Sequence, residues 1–158
     1  MIRFARVTVV WLPIALVAAA LANAHPRARA ASVPIEWQAD ATVWNGVYTA
    51  AQARRGEAVA NKSCAKCHNA DFTGGQDGPS LVGQEVLTAW SGLTLGDLFD
   101  RIRTTMPADA PQTLSASETA DLLAYTLSSN KCPTGDTELA ADAAALRRIR
   151  VTSRPDVR

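Results

Sequence analysis

The 158-residue chain predicts a helical domain on three observations. Thr49, Thr94 and Ser115 each stand where a helix N-cap is expected, with Gln52, Asp97 and Glu118 three positions further on. Apolar residues after Thr94 and Ser115 recur at helical spacing. No strand-rich βαβ pattern surrounds the motif at the centre of the chain, Cys64-Ala65-Lys66-Cys67-His68.

The first predicted helix opens on the capping-box form Thr49-Ala50-Ala51-Gln52, in which each side chain can satisfy the other's free backbone N–H. It runs through Ala53, Gly56, Val59 and Ala60 towards Cys64. Inside a helix Gly56 costs roughly 1 kcal/mol against Ala, a cost that makes sense if another helix crosses there and needs the backbone close. Residues 69–83 read as loop, with Gly74-Gly75, Asp77-Gly78-Pro79 and Gly83 as turn signals. Gln84–Trp90 suits a turn or two of helix.

Thr94 then caps a helix with Asp97 at N3, and Leu95, Leu98, Phe99 and Ile102 fall on one face. Arg101 and Arg103 oppose the dipole of its last turn, and Pro107 ends it. Ser115-Ala116-Ser117-Glu118 caps a helix to about Ser128, with Leu122, Leu123, Tyr125, Thr126 and Leu127 on a broad apolar side. This is the predicted partner for Gly56, with Tyr125 lying over the small residue. Pro133 and Gly135 close the domain. Glu138–Arg150 is alanine-rich and can be helical, with Leu139, Leu146 and Ile149 as a thin stripe. Arg147, Arg148, Arg150, Arg154 and Arg158 make the end basic, and it is expected to be solvated.

The N-terminal stretch reads as an address. Arg3 and Arg6 precede an apolar run from Val7 to Leu21, and Ala22-Asn23-Ala24 has the small-x-small form of a cleavage site, with Ala28-Arg29-Ala30 as a second. A signal peptide over 1–24 is expected, cleaved after Ala24 or Ala30. An uncleaved anchor is the other reading, but the run is shorter than the ~20 residues a span needs and Pro13 interrupts it. Residues 25–43 form a flexible lead-in, with Trp37, Trp44 and Tyr48 expected to pack on the core. The domain proper is placed at 44–135, and 136–158 is the short helix and basic tail. At 47% apolar residues and net charge +1, one small domain fits and nucleic acid binding is not indicated.

C-x-x-C followed by His is the attachment pattern of c-type haem. Each sulfur can add to one vinyl group, and His68 can ligate the iron through a ring nitrogen. A disulfide or thioredoxin-like pair does not need the adjoining His, and a structural zinc site needs four ligands where Cys132 is the one cysteine left. For the opposite axial position the chain offers His25, Met1 and Met106. His25 lies in the lead-in and Met1 in the leader. Met106 stands between a helix end and Pro107; core filling is the commonest use of methionine, but the haem pattern demands a ligand. His/Met ligation raises the reduction potential and leaves no open iron position, which favours electron transfer over catalysis. Pro79 is placed to accept the other N–H of His68. Trp90, with Arg101 or Arg103, is a candidate for bonding the propionates, though Trp90 equally suits the core.

In order, the Gly56 helix, Cys64-x-x-Cys67-His68, Gly78-Pro79-Ser80-Leu81-Val82-Gly83, Trp90, Thr105-Met106-Pro107 and the helix with Tyr125 resemble the class I mono-haem c-type cytochromes over about residues 43–130. The resemblance implies an all-α, class I cytochrome c fold, three to five helices around one covalent haem c. More narrowly, Asn45-Gly46-Val47-Tyr48-Thr49 and the stretch Leu95–Pro107 are similar to small cytochromes that accompany quinoprotein (PQQ-dependent) dehydrogenases. A periplasmic electron carrier follows as the expected function, with a dehydrogenase as donor and a cytochrome or oxidase as acceptor. The alternative is a haem subunit held permanently in a larger complex. Cys132 departs from the pattern and is expected as a buried or capped thiol.

Overall fold

The computed structural model describes residues 41–155, all within the unit Val33–Arg158. The leader, Trp37 and most of the lead-in lie outside the described residues. Six helices follow in order: α1 (Ala50–Ser63), α2 (Ala65–His68), α3 (Gln84–Ala89), α4 (Leu95–Thr105), α5 (Ala116–Ser129) and α6 (Ala143–Leu146). Two of them are single turns, so four carry the fold. Two short strands, β1 (Ala41–Thr42) and β2 (Ile149–Arg150), pair in parallel. No helix among the described residues is long and apolar enough to cross a membrane.

The caps at Thr94 and Ser115 are reciprocal boxes: each hydroxyl accepts the N3 N–H, and the Asp97 and Glu118 carboxylates accept from the cap residue. The cap at Thr49 is half a box. Its hydroxyl accepts from Gln52 N–H at 3.1 Å, but the Gln52 side chain is buried and bonds the backbone of Leu139 instead. A side chain that finds a second buried peptide to satisfy has more to gain there than at a half-exposed helix end.

Helices α1 and α5 form the principal contact of the fold. They meet at Gly56, where an added Cβ would collide with the Asp121 carbonyl and lie 2.9 Å from Tyr125 Cβ. One apolar cluster gathers Val43, Tyr48, Leu87, Leu95, Leu98, Phe99, Leu123 and Leu127. A second, smaller one holds Ala60, Phe72, Leu114 and Leu122.

The ends of the described chain correct the sequence reading. Core packing does not stop at Gly135: Leu139, Leu146, Ile149 and Val151 are all buried in the larger cluster. Of the segment 138–150 only Ala143–Leu146 is helical, because Asp142 caps a single turn and the chain then extends to pair with β1. Ala41, Thr42 and Val43, assigned to the flexible lead-in, form that strand pair and its continuation, with Val43 fully buried. Nor are the tail arginines uniformly solvated. Arg147 is ion-paired with Asp100, and the Arg154 guanidinium lies 5.9 Å from the Trp44 ring centroid. The Trp44 indole N–H, in turn, points at the Thr152 and Ser153 carbonyls, at 3.2 and 3.1 Å. Apolar residues seven and three apart in an alanine-rich stretch resemble a thin helical stripe, yet here they reach the core from a strap that holds one helical turn and one short strand.

Candidate functional site

Helix α1 delivers the motif. Cys64 is its C-cap and donates to Ala60 O at 2.8 Å. The Cys64 carbonyl then accepts from both Cys67 N–H (3.1 Å) and His68 N–H (3.0 Å), which winds 65–68 into one turn. All three reactive side chains, Cys64, Cys67 and His68, are half-buried. Burial pushes the Cys64 thiol up to about 11, as expected for a sulfur set among apolar groups.

His68 Nδ1 lies 2.8 Å from Pro79 O. A carbonyl can only accept, so Nδ1 carries the proton and Nε2 keeps its lone pair for a metal. Gly78 makes the approach feasible: a Cβ there would come within 2.9 Å of Cys67 O and 3.0 Å of His68 Cε1. The loop between is folded on itself, with Gly74 N–H donating to His68 O (3.0 Å) and Gly75 N–H to Gly78 O (2.9 Å).

Around Cys64 lies a half-buried apolar surface of Val59, Leu81, Val82 and Ile102, packed on the smaller core cluster. Ile102 stands one turn before Met106, which is the C-cap of α4 and is also half-buried. A second link joins the two segments: Lys66 Nζ is 3.3 Å from Asp109 Oδ2 in the loop after Met106. Two thiols, an imidazole with its outer N–H engaged, an apolar wall with unburied faces and a thioether on the adjoining segment are the donor set that a covalent haem c needs. The residues present fit that group. No cluster of three or more His, Cys, Asp or Glu able to hold a metal ion occurs among the described residues.

Cys64, Cys67, His68 and Pro79 are thus brought together, with Met106 on the neighbouring segment. Trp90 and Arg103 have the following surroundings. Trp90 packs against the larger core cluster, and the Arg103 guanidinium sits 5.8 Å from the Phe99 ring centroid. Two residues that sequence reading passed over enter the site from behind. Phe72 is fully buried at φ +62°, and Asn130 is buried with its amide fully engaged. An apolar aromatic inside a Gly- and Asp-rich loop was a legible signal for Phe72. Asn130 carries no such signal, since Asn at a helix end is ordinarily just a cap.

Residues 51–125 match the family model described as Cytochrome C oxidase, cbb3-type, subunit III. That segment is thus similar to a cytochrome c-family domain, and covalent haem c is the group that the family implies. No curated protein matches the chain. Among solved structures, the sulfane dehydrogenase SoxCD from Paracoccus pantotrophus is similar at 20% identity and a TM-score of 0.47. The likeness covers 76% of this chain and spans 65% of the length of that one.

Proposed function

We propose that the protein is a periplasmic electron carrier with one low-spin haem c, held by Cys64 and Cys67 and ligated by His68 and Met106. The observation that carries this reading is the His68 Nδ1 to Pro79 O contact of 2.8 Å inside a C-x-x-C-H turn, which commits one ring nitrogen and presents the other. When bound, haem c supplies a one-electron ferric/ferrous couple. The chain's own residues do the rest. Pro79 fixes the orientation and tautomer of the His68 ring. Leu81, Val82 and Ile102 keep water from one side of the site. Met106 would supply the second ligand to the iron, which would favour the ferrous state and leave no position for small-molecule chemistry.

The donor in this reading is a separate periplasmic dehydrogenase, with a quinoprotein as the specific candidate, and the acceptor is a cytochrome or oxidase. Ala65, Lys66 and the loop Pro107–Pro111 form the docking patch, since they border the attachment turn. A second reading is favoured by the description of the matching family, which is a subunit of an oxidase: the protein then serves as a fixed haem subunit of a larger respiratory complex. Native purification with a size measurement separates the two. A free carrier elutes as a small monomer, and a fixed subunit does not.

The principal test is spectroscopic. Protein matured with haem should show the sharp reduced bands of low-spin c-type haem and a weak methionine–iron band when oxidised. Met106→Ala should abolish the weak band and lower the potential by more than ~100 mV, within the span that axial ligands command. Unchanged spectrum and potential remove Met106 as ligand. Carbon monoxide binding to the reduced wild-type protein at neutral pH argues against a closed iron.

A further inference from the structure

The carbonyl that meets His68 belongs to a short irregular run, Gly78–Gly83, which has no helix or strand of its own to hold it. Within the run the Ser80 hydroxyl bonds the backbone of Val82, and Gly75 N–H donates to Gly78 O; the remaining hold comes from outside, where α5 acts on both flanks. On one flank, α5 holds the loop that follows His68: Tyr125 OH donates to Ala70 O at 2.9 Å, and the Tyr125 ring meets Phe72 edge-on at 5.1 Å. Phe72 O in turn accepts from Leu81 N–H at 2.9 Å. On the other flank, Asn130, the C-cap of α5, reaches across the run. Its Nδ2 donates to Leu81 O at 2.9 Å and to Thr126 O at 2.9 Å, and its Oδ1 accepts from Gly83 N–H at 3.0 Å.

Both peptide groups of Leu81 are therefore fixed, one through Phe72 and one by Asn130, two residues from Pro79. Asn130 is 8% exposed, and its amide oxygen and both amide hydrogens have backbone partners. An amide spending one acceptor and both donors on three backbone groups is a specific constraint rather than a generic cap.

We infer that Asn130 is a positioning residue for the axial histidine: by pinning Leu81 and Gly83 it fixes the Pro79 carbonyl and thereby sets the strength of the His68 Nδ1 hydrogen bond. The inference rests on the proposed ligation by His68. A stronger bond from Nδ1 makes the imidazole a better electron donor to the metal and favours the ferric state. Loosening the run weakens that bond and moves the balance towards the ferrous state.

The test uses full-length haem-loaded protein. Asn130→Ala removes both grips, and Asn130→Asp keeps the acceptor for Gly83 while losing the donation to Leu81; the second serves if the first does not mature. Gln52→Ala is the control, because it breaks a buried hydrogen-bond pair far along α1 without touching residues 78–83. The expected result has three parts. At a fixed ambient potential the ferrous-to-ferric ratio rises at least twofold in the Asn130 variants. Their His68 Nδ1 proton exchanges at least tenfold faster by NMR. Neither readout moves in Gln52→Ala, although all three variants lose stability. Loss of stability with an unchanged ratio and unchanged exchange overturns the inference and leaves the haem reading intact. A wild-type protein without a histidine-ligated low-spin spectrum overturns both.

Discussion

Gln52 and Leu139 exchange two hydrogen bonds: Gln52 Nε2 donates to Leu139 O at 3.0 Å, and Leu139 N–H donates to Gln52 Oε1 at 2.8 Å. Both residues are buried. A side-chain amide thereby acts as a strand partner for one peptide, and it ties the C-terminal strap to the first turn of α1. Removing the amide leaves a buried N–H and C=O without partners. Gln52→Ala should therefore lose about 2 kcal/mol, the range for orphaned buried backbone groups. Urea unfolding of the haem-loaded protein checks this, with a lowered midpoint and an unchanged slope. An unshifted midpoint means the strap contributes nothing at this point.

That contact also marks the limit of what the sequence disclosed. The Thr49-x-x-Gln52 signature placed the start of α1 correctly, because a hydroxyl capping an N–H is a local event. Where the glutamine amide goes is decided by Leu139, 87 positions along the chain, and no local pattern encodes that. The same division runs through the site. The attachment turn, the Gly56 crossing and the α4 and α5 boxes were legible, since spacing or a cap defines each. The strap from Leu139 to Val151 was not, since Leu139, Leu146 and Ile149 stand at helical spacing while only Ala143–Leu146 is helical, and what orders them is the surface they cover. Asn130 was hidden for a related reason: its role depends on the run 78–83 lying beside the end of α5.

Acid should weaken the fold through its caps. The Asp97 and Glu118 carboxyls are both held below their ordinary values, first by the backbone N–H groups of Thr94 and Ser115 and then by those residues' hydroxyls. Glu138 is lowered by its hydrogen bonds from Arg55. A carboxyl depressed on folding adds stability that is complete above its unfolded value and is lost as pH falls through the folded one. Urea midpoints should thus hold from pH 7 to about 5 and decline below about pH 4.5. Replacing Asp97 with Asn and Glu118 with Gln should lower the midpoint at pH 7 and flatten the decline. A decline of equal steepness in that double variant assigns the acid sensitivity to other groups.

Cys132 should be chemically silent in the folded protein. It is 5% exposed, its carbonyl accepts from Tyr48 OH at 2.7 Å, and burial pushes its thiol up to about 11. At pH 8 about one such thiol in a thousand is thiolate, against roughly a quarter for an exposed cysteine of ordinary pKa. In haem-loaded protein, where Cys64 and Cys67 are thioethers, iodoacetamide at pH 8 should label nothing in native buffer and one site in 6 M guanidinium. Labelling under native conditions, or a disulfide-linked dimer on a non-reducing gel, shows instead that the thiol reaches the surface.

Gly56→Ala sets two known effects against each other. Alanine is the better helix former by roughly 1 kcal/mol, so in an exposed helix the change stabilises. At this position the new methyl collides with the Asp121 carbonyl and crowds Tyr125 Cβ at 2.9 Å. The obstacle is backbone of a packed helix, which cannot rotate aside as a flexible side chain can. Relief requires α1 and α5 to separate, and overpacking of this kind typically costs about 1–3 kcal/mol or more. Tyr125 would then draw back from Ala70 and Phe72, which links the crossing to the His68 loop. The net expectation is a loss of about 1–2 kcal/mol and a fall in Tm of roughly 5–10 °C, with a broadened Tyr125 resonance. A raised Tm would mean that α1 and α5 part at little cost, and that the close approach at Gly56 is a convenience of packing rather than a requirement.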